Sequence, residues 1–407
     1  MSNTTKNNYL ILSQVFWPDT SSVSQHLTDL AIELQKKYGS VTVITSSKAY
    51  EDSREQYKKS ENYHGIRIVR VTHLKFKKAW VFGRILNFLS FKLMLLWRIL
   101  KIDKKEYSKI IVVSVPPLLP ALAAFISKLY KKRMVYWVMD IQPELSIVSG
   151  LFKKDSLLRT CLQKSSQYML EHADHLICLD KDMQAHLQSR KIDVNKISVV
   201  PVWPINTHKV SVKRDENPFR IENNFQDKIV IMYAGNLAYC HPLDTLLESA
   251  QELKDNPYLF VFIGAGTQKE KVRKCQKNCQ NIKMLPFQKR ENVHISLASA
   301  DYQVVVMGEA TIGFTHPNKI YGAMLSERPI IYIGPRESFI AEHLNHCPGN
   351  ILVEHGQSQT LTQEIIKLSN DHALYQKVCK QNKAYALKHF DPKKLLKRMC
   401  EEIHEKN

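Results

Sequence analysis

The sequence is poor in glycine, with 13 in 407 residues, and has no low-complexity tract, which sets aside collagen-like and disordered classes. Met1 to Asn8 is polar and lacks the apolar core of a signal peptide. The apolar run Ile85 to Leu100 is broken by Lys92 and Arg98, so it falls short of the ~20 apolar residues that a membrane span needs. Eight cysteines are scattered, and only Cys275 and Cys279 are close, with no Cys/His companions at zinc-ligand spacing. Reduced thiols in a cytoplasmic protein are the expectation. Acids are outnumbered by bases 39 to 58, a formal charge of +19. Nucleic acid, acidic lipid headgroups and phosphorylated substrates would each suit that charge. No nucleic-acid motif accompanies it and no basic segment repeats glycine and aromatics, so no nucleic-acid partner is expected. A solvated basic surface is the plainer alternative.

What is present is an alternation of apolar strands and amphipathic helices. Tyr9 to Gln14 is a short apolar run, followed by the turn-rich Phe16 to Ser22. His26 to Tyr38 then places Leu27, Leu30, Ala31 and Leu34 at helical spacing, and Val41 to Thr45 is β-branched. Such a unit is right-handed and parallel, with ligands expected at strand C-terminal ends. Further strands are expected at Ile66 to Val71, Ile110 to Val115, Met134 to Met139, His175 to Leu179 and Ile197 to Val200. A proline-punctuated linker at Pro201 to Pro218 precedes a second series. Its strands are expected at Ile229 to Tyr233, Tyr258 to Ile263, Lys283 to Leu285, Tyr302 to Met307 and Pro329 to Ile333. Its helices are expected at Pro242 to Leu253, Lys269 to Cys279 and Lys319 to Leu325. A chain of this length exceeds one core. The fold class is therefore α/β, with two facing Rossmann-like, doubly wound domains and a cleft between them.

The segment 75–105 stands apart, holding nine Lys or Arg and one acid, Asp103. On a helical wheel Arg84, Asn87, Ser90, Arg98 and Lys101 share one side, opposite a wide apolar arc with Phe88, Phe91 and Trp97. This is the pattern of a helix lying on an anionic membrane surface. It also fits a core helix with a basic solvent face.

Gly308 to Met324 is a glycine-containing loop running into a helix that carries Lys319 in its first turn. Unpaired amides and the dipole at a helix start suit negatively charged oxygens. Lys319 adds a point charge suited to phosphate. Alone, the segment reads equally as a plain connection with a solvated lysine. Asp140 follows a buried run at a strand end, a common place for catalytic groups. Alternatively it caps a helix through Gln142, Pro143 and Glu144.

Six segments in order carry a family likeness. They are Gln14 to Ser22; Asp140-Ile141-Gln142-Pro143-Glu144 with Ser149-Gly150-Leu151; Tyr233-Ala234-Gly235-Asn236; Gly264-Ala265-Gly266; Lys283 to Phe287 with Ala300-Asp301; and Pro317 to Gly322. Together they resemble retaining GT-B glycosyltransferases of family 4, in the branch that builds bacterial surface polysaccharides, of fucosaminyltransferase type. The likeness implies an acceptor-binding domain over 1–205, a nucleotide-sugar-binding domain over 206–385, and a C-terminal helix in 386–407 packing back on the first domain. It implies a nucleotide-diphosphate sugar, UDP or GDP type, as co-substrate, with no other cofactor and no metal. The pyrophosphate would meet Lys319 and the amides around Ile312, Gly313 and Phe314. Gly235, Asn236, Gly264 and Gly266 would admit phosphates and base, with His241, Asn318 and Tyr321 beside them. Glu309 would accept sugar hydroxyls. The acceptor would enter near Ser21 and Ser22, with Asp140 orienting or deprotonating it.

The implied activity is transfer of a hexosyl or N-acetylhexosaminyl group to a lipid-diphosphate-linked saccharide, for O-antigen, capsule or exopolysaccharide. The enzyme would sit peripherally on the inner face of the cell membrane, alongside polysaccharide-assembly enzymes. A catalytically silent subunit binding a partner transferase or the membrane is an alternative reading, as is a sugar-nucleotide epimerase. Three departures stand out. Phe314 and Gly322 occupy the places where many relatives carry two glutamates eight apart. Tyr239 stands where arginine is typical, and Glu327 where glycine usually precedes Arg328-Pro329.

Overall fold

The structure is a computed structural model that describes residues 7–49, 56–74, 76, 81–148, 157–205, 212–289 and 292–405. Ser149-Gly150-Leu151, part of the linker (206–211) and Lys75, Lys77 and Lys78 lie outside the described residues. The chain divides into two compact units: Met1–Val202 with Gly313–His316 and Lys393–Asn407, and Trp203–Ile312 with Pro317–Pro392.

The first unit runs β1 (Tyr9–Leu12), α1 (Ser22–Lys37), β2 (Val41–Ser46), β3 (Ser60–Tyr63), β4 (Ile66–Val71), α2 (Val81–Leu100) and β5 (Lys109–Val113). It continues with α3 (Leu119–Tyr130), β6 (Arg133–Trp137), α4 (Glu144–Val148), α5 (Leu157–Glu171), β7 (His175–Cys178), α6 (Lys181–Ser189) and β8 (Ile197–Val199). The sheet order is β3-β4-β2-β1-β5-β6-β7-β8. All neighbours are parallel except β3, which pairs antiparallel with β4. β1 and β5 are buried along their whole length, as parallel strands covered on both faces must be. Strand succession steps one way from β1 to β2 and the other way from β4 to β5. Right-handed crossovers therefore put α1 on one face and α2, α3 and α5 on the other.

Ser21 caps α1 by accepting the Ser24 amide, so the helix begins at Ser22 and not at His26. The strand β3 has no apolar run: it is an edge strand of Ser, Glu, Asn and Tyr with no buried residue, the blunted kind that sequence pattern does not reveal. On α2, Phe91, Leu95 and Ile99 are buried, and the helix packs on β2, β4 and α3. The wheel had set Phe91 and Trp97 on one arc against Asn87. Instead Asn87 is buried and exchanges hydrogen bonds with the Phe76 backbone, and Trp97 is exposed. The sheet selects the buried side, and a polar residue bonded to backbone joins it at little cost.

The second unit contains α7 (Pro218–Asn223), β9 (Ile229–Ala234), α8 (Asp244–Glu252), β10 (Tyr258–Ile263), α9 (Lys269–Asn278), β11 (Ile282–Leu285) and α10 (Val293–Ala298). It goes on through β12 (Tyr302–Val306), α11 (Lys319–Leu325), β13 (Ile330–Ile333), α12 (Phe339–Asn345), β14 (Ile351–Val353), α13 (Ser358–Asn370) and α14 (His372–His389). The order β11-β10-β9-β12-β13-β14 is wholly parallel. Tyr233, Phe260, Phe262 and Val304 pack on α8 and α13 through Leu246, Leu361 and Ile365. Met232, Val261 and Ile263 pack on the other face with Phe219 and Phe225. Asp301 ties this sheet to its flank, taking hydrogen bonds from Arg214, buried Arg220 and the Val230 amide. The final helix, α15 (Pro392–Glu405), lies almost wholly in the first unit. There Lys109 Nζ donates to the carbonyls of Ile403 (3.0 Å) and His404 (2.6 Å) at the helix C-terminal end.

Candidate functional site

Strand succession in the second sheet reverses between β9 and β12, so the loops leaving these two strands open the crevice that doubly wound sheets offer to ligands. Gly308 N donates to Cys240 O at 2.9 Å, joining the two loops. Lys319, the first residue of α11, reaches back under them. Its Nζ stands 3.4 Å from the centroid of the Tyr233 ring. It is sheltered from solvent and has no hydrogen-bond partner among the described residues. A Cβ added to Gly235 would come within 3.3 Å of it. Burial pushes the Lys319 ammonium down to about 7, with Cys240 opposing slightly. A cation over an aromatic face is partly compensated, but without an anion it remains costly to bury. The helix has only seven residues, so its dipole is small and the lysine charge dominates.

His241 Nδ1 is sheltered and unbonded. Burial and then the Lys319 charge drive the imidazole down to about 3, against a bond to the Val306 backbone. Without a bound anion, burial thus favours the neutral imidazole. Asn318 Oδ1 is also sheltered and unbonded. A Cβ on Gly264 would lie 2.0 Å from Gly235 O, and one on Gly266 would lie 2.5 Å from Leu237 O. Those two glycines make room for the 235–237 loop; of the three, Gly235 is the one whose bare side faces Lys319. Asn236 is exposed, and so is Glu309, which sits in one turn of 3-10 helix. Tyr321 is buried with its ring 4.7 Å from that of Phe390, which makes it a core residue.

In the first unit, Asp140 does not cap a helix, because α4 begins four residues later at Glu144. Its Oδ1 accepts the Thr315 hydroxyl at 2.6 Å, and the Ile141 amide donates to Phe314 O at 2.7 Å. Burial raises the Asp140 carboxyl above the usual range, opposed by the Thr315 bond and by His316. His316 Nδ1 lies 2.7 Å from Asp180 Oδ2, both residues buried. Phe314 meets the His186 ring edge-on at 4.7 Å. Gly313 holds a positive φ of 76°, and a Cβ there would stand 3.0 Å from Asp182 O. Ile312 is half-buried. Ser21 is occupied as a cap, and Ser22 is exposed. The structure thus adds Tyr233, Thr315 and His316 to the sequence-derived residues. Tyr233 opens the Tyr233-Ala234-Gly235-Asn236 segment, but nothing in the spacing links 315 to 140.

Over 98% of this chain and 100% of its own, the Anabaena protein HepE, solved in complex with UDP and glucose, superposes with a TM-score of 0.72 at 16% identity. WaaG, a glycosyltransferase involved in lipopolysaccharide biosynthesis, covers 97% of this chain and 99% of its own with a TM-score of 0.70 at 12% identity. The fold is GT-B. Residues 23–202 match the family model for Glycosyltransferase Family 4, and residues 228–371 match that for Glycosyl transferases group 1. Together they support a family 4 GT-B glycosyltransferase. WbjE of Pseudomonas aeruginosa, assigned as a glycosyltransferase, is 24% identical over 226 residues, 54% of this chain and 56% of WbjE. WcaI of Escherichia coli K12, assigned as a colanic acid biosynthesis glycosyl transferase, is 22% identical over 204 residues, 48% of this chain and 49% of its own. The chain spans about half the length of the curated relatives it matches.

The three departures from the family pattern now have places in the GT-B frame. Tyr239 is 58% exposed and supplies no charge near Lys319. An added Cβ at Gly322 meets nothing within 4 Å, so the backbone there leaves open space for a first side-chain carbon. Glu327 adopts φ 57°, the left-handed conformation that glycine takes without strain, and pairs with Lys383.

Proposed function

We propose that this chain moves a sugar from a nucleotide-diphosphate sugar of UDP or GDP type to a lipid-diphosphate-linked saccharide in bacterial surface polysaccharide synthesis. In the proposed reaction the bond from the anomeric carbon to the pyrophosphate breaks and a bond to the acceptor hydroxyl forms. The nucleoside diphosphate leaves, the acceptor proton is lost, and the anomeric configuration is retained without a metal. The observation that carries this reading is Lys319, a sheltered cation with no hydrogen-bond partner among the described residues, held under a glycine at the sheet switch point. Such a group is stabilised by an entering anion, and more so as negative charge grows on the leaving pyrophosphate. HepE, solved with UDP and glucose, supports the donor class; the assignments of WbjE and WcaI support the polysaccharide setting.

Asp140 is the proposed acceptor-side residue. One of its carboxylate oxygens is engaged by Thr315, which suits it to orienting a hydroxyl. Glu309, exposed at the start of the donor loop, is the proposed acceptor of sugar hydroxyls. The test is release of UDP or GDP in the presence of undecaprenyl-diphosphate-linked saccharide. Release should depend on both substrates, collapse in Lys319→Ala and survive EDTA. Equal rates for wild type and Lys319→Ala would remove the lysine from the mechanism. The neutral, exposed Tyr239 favours a second reading, a catalytically silent subunit. Absence of nucleotide-sugar binding by calorimetry would select that reading.

A further inference from the structure

The outer side of α2 is unlike an ordinary solvent face. Leu89, Leu93, Trp97 and Leu100 are 48%, 61%, 54% and 55% exposed, and they follow one another at helical spacing. α3 lies beside α2 on the same side of the sheet, and its Phe125 and Leu129 are 52% and 55% exposed. Two adjacent helices thus present large apolar side chains outward, more than the scattered exposure usual for soluble surfaces.

The rim of this face is basic. Lys101 sits with its Nζ 3.6 Å from the centroid of the Trp97 ring. Lys104 and Lys105 follow in an exposed 3-10 turn, and Lys128 and Lys131 are exposed on and just after α3. The two nearby acids are engaged within the unit: Asp103 accepts the Lys105 amide, and Glu106 pairs with Arg67 at 2.9 Å. Among the described residues no helix is long and apolar enough to cross a membrane. A second copy of the chain would bring like charge against like charge. An anionic bilayer would take the apolar side chains below its headgroups and the ammonium groups among them.

We infer that the outer faces of α2 and α3 together form a docking surface for an anionic lipid bilayer, with Leu93, Trp97, Phe125 and Leu129 entering the headgroup boundary and the lysine rim binding the headgroups. This surface stands on its own geometry and deepens the reading of a lipid-linked acceptor. Its test uses neither donor nor acceptor, so either can fail alone.

The full chain is sedimented with vesicles of phosphatidylcholine, alone or mixed with phosphatidylglycerol. It should bind the mixed vesicles, and the binding should weaken with added salt. Leu93→Glu with Trp97→Glu should lower partitioning by at least about tenfold. Lys104→Glu with Lys105→Glu, at exposed positions outside the packed core, should lower it only for the anionic mixture. Equal binding to both vesicle types, or full binding by both double variants, would overturn the proposal. So would a vesicle-free dimer that Leu93→Glu with Trp97→Glu converts to monomer, since the face would then belong to a second copy.

Discussion

Asp140, just after strand β6, and Lys319, at the start of α11, are both ionisable groups on the C-terminal side of a parallel sheet, yet they are held in opposite ways. One oxygen of the Asp140 carboxylate is engaged within its unit by the Thr315 hydroxyl, beside the Ile141 amide bond to Phe314 O and a buried His316–Asp180 pair. The ammonium of Lys319 has an aromatic face and a glycine but no hydrogen-bond acceptor among the described residues. A chain that folds alone normally pairs what it buries. An unpaired lysine is what the proposed donor pyrophosphate would partner, whereas Asp140 also holds its own unit together.

The sharpest way to break this comparison is Lys319→Met, which keeps the stem over Tyr233 and removes the charge. If Lys319 acts on the leaving pyrophosphate as proposed, its loss should cost on the order of 10²–10³ in kcat/KM. Without ligand the variant should be at least as stable as wild type, because a buried, unpartnered charge is gone. Urea midpoints and nucleotide-release rates, measured on one preparation, check both halves. A destabilised variant with full activity would reverse the roles of the two sites.

The second expectation concerns pH. Burial holds the free Lys319 ammonium near 7, and a bound pyrophosphate raises it. Above about 7 binding must then take up a proton, and affinity for an intact nucleotide sugar should weaken roughly tenfold per pH unit until the bound value is reached. Calorimetry in buffers of different ionisation heat reads that proton directly. A flat profile from neutral pH upward would mean that the lysine is already paired.

Much of the frame was legible in the sequence. Tyr258 to Ile263 and Ile66 to Val71 are strands over their predicted lengths, and Lys319 to Leu325 is the predicted helix. Continuous apolar runs and helical spacing are direct imprints of burial. β3 and β14 were not legible, one an edge strand without apolar character and the other only three residues long. Nor could spacing join Thr315 to Asp140 across 175 residues. The neutrality of His241 is likewise a property of the burial around it, not of its place in a motif. The close approach of Gly264 and Gly266 to the Gly235 and Leu237 carbonyls is also not visible in spacing.

Thr315→Val tests the other side of the comparison. It removes a hydroxyl donated to a buried carboxylate, worth about 1.5–3 kcal/mol for a charged acceptor. The Asp140 carboxyl, already raised by burial, should rise further. A folded-state value above the unfolded one gives stability that is present below the ordinary carboxylate range and lost as pH rises through the raised value. Urea midpoints should therefore show a larger loss on going from acid to neutral pH in Thr315→Val than in wild type. An unchanged pH profile would show that the hydroxyl does not hold the carboxylate in solution.

The smallest effect belongs to Gly322, on the same helix as Lys319. Glycine inside a helix costs roughly 0.5–1 kcal/mol relative to alanine, and here an added Cβ meets no atom of the protein within 4 Å. Gly322→Ala should therefore raise stability by about that amount. If the donor is held mainly by Lys319 and the loop around Gly235, its affinity should not change. A stabilised variant with weakened nucleotide-sugar binding would mean that the ligand uses the space beside Gly322. The anion pocket would then extend along α11 to the position where relatives place a glutamate, and Lys319 would be one contact of several.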